Sequence, residues 1–190
     1  LEENTEGPLR KSLLRTAEVV IPLKDRILGR TVAEKLARLQ STGACQFCDF
    51  SEVDLKEMNF YGADLRKVNL TGANLSGANL SMANLTGSDL SGENLTNANL
   101  AEVDLTSMNL TGMILVKTNL FGANLSGVNL SDIDLTGINI TRANLLGADL
   151  SGANLSGKDL NATNLTRANL GAANLTGANL TWANLTRADL

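Results

Sequence analysis

The sequence predicts an all-β solenoid preceded by a helical segment. Three observations predict it. From Phe50 to Leu190 every fifth residue is Leu, Phe or Ile; two places before it stands usually Ala, otherwise mostly Val, Met, Ile, Ser, Thr or Cys; and just after it stands usually Ser or Thr, often followed by Gly. The five-residue position is Leu at 26 of 29 sites, the others being Phe50, Phe60 and Ile140, and the residue before it is Asn or Asp at 28 of 29. On an α-helix five residues turn through about 500°, so such leucines would spiral around the axis with no common face. On a flat strand an odd spacing would send successive leucines to opposite sides. A shared interior therefore requires a change of chain direction within each repeat.

The segment before the repeats reads as helical. Leu9, Leu13, Ala17 and Val20 recur at helical spacing, and Pro22 interrupts the pattern. A second helix is expected over 23–39, with Leu28, Val32, Leu36 and Leu39 on one stripe and Ser41–Gly43 as its stop. Residues 1–40 hold 8 basic and 6 acidic side chains, against 8 and 14 in the remainder. The acids Glu18, Asp25 and Glu34 interleave with the bases, which weakens any reading as a membrane-surface helix. A helical cap over residues 1–45 is the expectation, covering the open lower end of the solenoid.

Within each repeat the small residue and the leucine lie two apart. In an extended segment they point the same way, and the Asn or Asp between them points outward. The Ser/Thr-Gly pair supplies the turn. Each repeat is thus a short extended edge ended by a bend, and bends in one sense wind the chain into a coil. Coils stack at strand spacing, about 4.8 Å, through backbone hydrogen bonds. The inward ladder begins Phe50, Leu55, Phe60, Leu65, Leu70, Leu75, Leu80, Leu85, Leu90.

Composition removes several functions. The net charge of -4 and the 3% aromatic content argue against binding nucleic acid, which needs clustered cations or stacking surfaces. The sequence has no histidine, hence no histidine general base and no histidine metal ligand. No apolar run reaches the ~20 residues that span a bilayer. No nucleophile lies beside a base and no phosphate-binding loop is present, so no enzyme activity, metal or cofactor is expected. Asn-Leu-Ser and Asn-Leu-Thr triplets resemble glycosylation acceptors, but the repeat itself forces them.

"ANLSG", "ADLSG" and "ANLTG" resemble the pentapeptide-repeat family, whose pattern is A(D/N)LXX; the likeness covers 46–190 in unbroken register. The resemblance implies a right-handed quadrilateral β-helix with four repeats per coil and about seven coils. Cys45 and Cys48 form a C-x-x-C pair. One pair without histidine cannot complete a zinc site. Cys48 occupies the small inward position, where this family often uses Cys; a buried thiol or a local disulfide is expected, and a disulfide would favour an exported location. The lead-in "LQSTGACQFCDF" resembles exported cyanobacterial members, which points to the periplasm or thylakoid lumen. The sequence starts at Leu1, so a leader removed by processing would escape notice.

With twenty residues per coil, surface residues fall into columns. Tyr61, Met82, Phe121 and Trp182 share one side as a candidate partner face; Arg66, Lys67, Arg167 and Arg187 share the next. Asp49, Asp89, Asp149 and Asp189 form an acidic column, with Glu52 and Asp132 nearby. Glu93 and Lys158 occupy the small inward site and Ile114 the Asn/Asp site; the two charges are expected to reach out between turns to solvent. The register runs to Leu190 with no cap after it, so the expectation is either a trimmed sequence or an end that meets another molecule, for which an end-to-end homodimer through the C-terminal coil is one candidate. The best functional expectation is a structural or protein-binding scaffold for an unidentified partner. The alternative is a DNA-mimicking regulator of an enzyme such as gyrase, an activity the resemblance carries and the acidic column fits loosely.

Overall fold

The computed structural model of the chain describes residues 31–106, 108–110, 112–131 and 133–190. The expected helix at Leu9–Val20, the interruption at Pro22 and the residues 23–30 lie outside the described residues.

Helix α1 spans Val32–Thr42. Its start is set by a capping box: Thr31 Oγ1 accepts the Glu34 N–H (3.2 Å), and the Thr31 N–H donates to Glu34 Oε2 (2.8 Å). Its end is set by Gly43, whose φ of 69° places it in the left-handed region, with its N–H on the Leu39 carbonyl at 2.8 Å. The helix thus runs three residues past the expected Leu39, and the stop falls within the expected Ser41–Gly43. Val32, Leu36 and Leu39 are buried in the same core as Cys45, Phe50 and Leu55. Lys35 Nζ ties the helix to the first coil by donating to the Asp49 carbonyl at 2.7 Å.

From Ala44 onward the backbone forms parallel bridges between residues twenty apart, beginning Ala44–Asp64, Asp49–Asn69, Asp54–Asn74 and Asn59–Asn79. One coil therefore takes four pentapeptides. Each edge links to the next coil through a repeated set of bonds: Phe50 N–H to the Asn69 carbonyl (2.8 Å), Asn69 N–H back to the Cys48 carbonyl (2.9 Å), and Glu52 N–H to the Thr71 carbonyl (2.9 Å). The bend closes within the repeat, as in Val53 N–H to the Phe50 carbonyl at 3.1 Å. The second bend residue has positive φ throughout, as at Gly72 (71°), which is why glycine recurs there.

The interior is the leucine ladder. Phe50, Leu55, Phe60, Leu65, Leu70, Leu75, Leu80, Leu85 and Leu90 are all buried, and burial continues to Leu170. Leu175, Leu180 and Leu185 are only partly covered, and Leu190 is 75% exposed. Outside, the Asn residues form amide ladders. Asn79, Asn99, Asn119 and Asn139 each donate Nδ2 to the Oδ1 one coil earlier, at 3.1, 3.2, 2.8 and 2.9 Å. The same oxygens accept the N–H two residues on, as Asn79 Oδ1 does from Ser81 (3.2 Å). The Asn requirement read from the sequence has this double use: its carbonyl closes the local bend and its amide joins coils. Asp can accept but not donate, so Asp49, Asp54, Asp149 and Asp159 serve as receiving ends for Asn69, Asn74, Asn169 and Asn179.

The bridge series skips Asn109 and Asp134 among the described residues. The small inward position holds Met108, Met113 and Ile133 here in place of Ala.

Candidate interaction surfaces

Cys45 and Cys48 are joined by a disulfide across a 5.4 Å Cα–Cα separation. Both are buried. Of the two alternatives left open by the sequence, the structure has the local disulfide. It locks the first bend, where Cys48 N–H also donates to the Cys45 carbonyl (3.2 Å).

The candidate partner face does not form one continuous stripe. Tyr61 Oη lies 3.1 Å from Met82 Sδ, which joins that pair. Phe121 sits under the Arg142 guanidinium, 5.6 Å from the ring centroid. Trp182 stands apart at the last coil and is 84% exposed. All four lie at one corner of the coil, as the twenty-residue register requires, but Glu102 and Ala162 intervene at the same corner.

At the next corner Arg66 is bound to Asp64 by two bonds of 2.8 Å, from Nε and Nη2. That guanidinium, with Gln46 also donating, holds the Asp64 carboxyl well below the usual carboxylate range. Lys67 lies over the exposed ring of Phe47 at 5.3 Å. Sequence reasoning passed over Phe47; its position at the second residue of a bend was the available indication, because that residue faces outward in every repeat.

In the acidic column, Asp89 and Asp149 accept the N–H groups of Ser91 (2.9 Å) and Ser151 (3.0 Å), bonds that lower both carboxyls. Asp49 closes its own bend at Ser51 and receives Asn69. Asn69, Asn129 and Asn169 alternate with the aspartates of this column, so the charge is diluted along it. Asp132 lies outside the described residues, and Glu52 packs its stem against Gly72.

The inward charges find different solutions. Glu93 was expected to reach solvent but is 5% exposed. Its Oε1 accepts the Gly72 N–H at 2.7 Å, where the equivalent N–H one bend later, that of Gly77, uses the Thr96 carbonyl. The side chain thus enters the backbone ladder as an acceptor. Burial pushes its carboxyl up, the Gly72 bond opposes this, and Asp89 adds to the rise. Lys158 is half-buried and donates Nζ to the Ile138 carbonyl one coil earlier (2.8 Å); burial pulls its ammonium down, and Asp134 opposes. Ile114 keeps its bridge to Asn94 but points outward, 48% exposed. A shallow recess of about 180 Å³ lies over Met108, Leu110, Val128 and Ile133, where the bridges are interrupted. Among the described residues no cluster of metal-ligating side chains occurs, and no helix is long and apolar enough to cross a membrane.

A stacked coil of four five-residue edges, a leucine interior and an outward Asn/Asp ladder together define a pentapeptide-repeat solenoid. The family's sequence profile, "Pentapeptide repeats", matches in eight copies over 45–81, 78–115, 118–157 and 159–190, and the chain belongs to this family. Among solved structures it is similar to HetL, a pentapeptide repeat protein involved in heterocyst differentiation regulation in the cyanobacterium Nostoc, at 28% identity over 84% of this chain and 94% of that one, with a TM-score of 0.32. It is also similar to a pentapeptide repeat protein of the cyanobacterium Cyanothece 51142, at 28% identity over 83% of this chain and 97% of that one (TM-score 0.27). A pentapeptide repeat protein of the Arabidopsis thaliana thylakoid lumen is 35% identical over 55% of this chain and 66% of that one (TM-score 0.26). No functionally curated protein matches the sequence.

Proposed function

We propose that the chain is a non-enzymatic scaffold that presents its faces to a protein partner. The architecture behind this reading is a right-handed quadrilateral β-helix of about seven coils, a rod of roughly 35 Å at strand spacing. The division that goes with it is a helical cap, of which Val32–Thr42 is the described part, followed by repeats over 46–190. The observation that carries the reading is where variation is allowed. The interior is fixed by packing and the Asn/Asp positions by the ladder, whereas the outward bend residues range over Phe, Glu, Lys, Met, Arg and Trp. Chemistry needs convergent groups in a concave site; here the freely varied groups diverge from the corners of a rod. The buried disulfide supports residence in an oxidising compartment, as the lead-in sequence led us to expect. End-to-end pairing of two copies through the C-terminal coil belongs to the same reading, and sedimentation of the isolated chain tests it. Affinity capture from the native cell tests the scaffold reading: a stoichiometric protein partner supports it, and turnover of a small molecule by the isolated chain overturns it.

A DNA-mimicking regulator is the second reading. The aspartates Asp49, Asp89, Asp149 and Asp189 line one column, but each is separated from the next by at least one Asn, so neighbours are two or more coils apart, about 10 Å. Duplex DNA places its charges several times more densely. Gyrase supercoiling with excess protein is expected to be unchanged; inhibition or protection would favour the mimic.

A further inference from the structure

Charge is unevenly placed over the C-terminal coils, where one side of the solenoid lacks carboxylates although Asp64, Glu102 and Asp104 lie on it in earlier coils. Consider the side bounded by the corner of Phe121, Arg142 and Trp182 and the corner of Leu146, Arg167 and Arg187. Its floor is the amide ladder in which Asn164 donates to Asn144 and Asn144 to Asn124, both at 2.9 Å. Over the four coils from 121 to 187, this side carries three arginines and no carboxylate, on a chain that is acidic as a whole.

Two features of these arginines are costs that the isolated fold does not recover. Arg167 and Arg187 occupy the same corner in consecutive coils, about 4.8 Å apart at the backbone, a like-charge pairing that disfavours stacking. Both are exposed and form no ion pair among the described residues, unlike Arg66 beside Asp64. Both also hold positive φ, 58° and 59°, at the bend position that Gly127 and Gly147 fill earlier in the same column. A non-glycine residue there costs about 1 kcal/mol. Trp182, also at positive φ (59°), adds an exposed apolar anchor at the opposite corner, and Leu146 a second at 40% exposure. The second bend position loses stability by carrying Arg167, Trp182 and Arg187, and arginine and tryptophan are types that anchor interfaces.

We propose that this side, over the C-terminal coils, docks an extended acidic polypeptide segment. Carboxylates of the segment pair with Arg142, Arg167 and Arg187, and its apolar side chains cover Trp182 and Leu146. The proposal rests on the scaffold reading and supplies the chemistry of the partner. Charge complementarity selects an anion. The apolar anchors and the small number of cations select a polypeptide over a phosphate backbone, whose affinity grows with the count of neutralised phosphates.

Trp182 is the only tryptophan and therefore reports on its own face. The probe is a synthetic dodecapeptide of alternating Glu and Leu, titrated against the whole chain while Trp182 emission is followed. The expected result is a saturable blue shift that weakens with added salt. Arg167→Gly with Arg187→Gly restores the residue used at 127 and 147; it is expected to weaken binding at least tenfold while the melting temperature holds or rises. An unchanged titration with this double variant overturns the proposal, as does the absence of saturation up to millimolar peptide. Tighter binding of an oligothymidylate or of phosphatidylglycerol vesicles than of the peptide also overturns it. A blue shift that follows protein concentration without peptide, with a matching rise in sedimentation coefficient, assigns the face to a second copy and overturns it too. The scaffold reading is tested apart: a captured partner whose binding ignores the double variant removes this face and leaves the scaffold standing.

Discussion

Truncating one core leucine at mid-rod should cost far more than the same change near the last coil. Leu100 is completely buried and stacks between Leu80 and Leu120, themselves at most 1% exposed. Replacement by Ala removes three methyl or methylene carbons from a layer that its neighbours hold open, so the cavity cannot collapse. The cost is about 3 kcal/mol, within the range seen for buried leucines. For a chain of this size that is a fall in melting temperature of roughly 6–12 °C. Leu185 is only partly covered, so Leu185→Ala should cost about 1 kcal/mol. Thermal and guanidinium unfolding followed by circular dichroism compare the two. Because repeat arrays can unfold in sections, amide exchange at Asn99 and Asn119 locates the loss. Equal effects at the two positions, or a cost below about 1 kcal/mol at Leu100, would refute the shared dry interior.

Other expectations follow from the bends, the buried charges and the disulfide. Ala172 is exposed and holds φ of 58°; Ala172→Gly should raise stability by about 0.5–1 kcal/mol, whereas Ala168→Gly, in the core, should lower it. Glu93 has a raised carboxyl pKa, so its protonated form favours the fold: stability from this group is present at acid pH and lost as pH climbs through its folded value. Glu93→Ala should therefore flatten the decline above the usual carboxylate range; an unaltered pH profile would remove the argument. Lys158 is depressed, so its contribution has the opposite sign: it favours the fold as pH rises through its folded value, and Lys158→Ala should flatten the alkaline limb of the same measurement. Reducing Cys45–Cys48 should cost about 2 kcal/mol or less, because the loop it closes is short; thiol titration of the denatured chain with and without reductant checks that the bond exists.

What was legible in the sequence was whatever the repeat enforces. Period five excludes helix and strand, and the Leu, Ala and Asn positions take their directions from that fact alone. Four edges per coil was not legible from the period, because a five-residue repeat fixes the length of an edge and not the number of bends per coil; the family resemblance supplied the number, and the Ala44–Asp64 bridge carries it in the structure. The partner face was half legible. Register placed Tyr61, Met82, Phe121 and Trp182 on one corner, but nothing in spacing tells which neighbours touch: Tyr61 reaches Met82 across one coil, while Trp182 is several coils from any of them. Glu93 was read wrongly in direction. From sequence an inward charge without a countercharge on the neighbouring coils was expected to escape to water; in the structure the backbone N–H of Gly72 supplies the partner.

The same constraint explains where function must be sought. A substitution inward disturbs packing in three coils, and one at the Asn position breaks both a bend and a ladder bond, as Asn99 shows by donating to Asn79 while accepting from Asn119 and Ala101. The second bend residue touches neither. Its only requirement is positive φ, worth about 1 kcal/mol when glycine is replaced. A non-glycine side chain there loses that amount without improving core or ladder, so each one is a local departure from the most stable sequence. Scattered departures call for no common cause. Arg167, Trp182 and Arg187 differ in that they cluster on one side of adjacent coils, where the two arginines carry like charge and no carboxylate faces them. A rod whose interior is saturated with near-identical residues can hold information only at its corners, and near the C-terminus Arg167, Trp182 and Arg187 are the side chains that depart there from Gly or Ala.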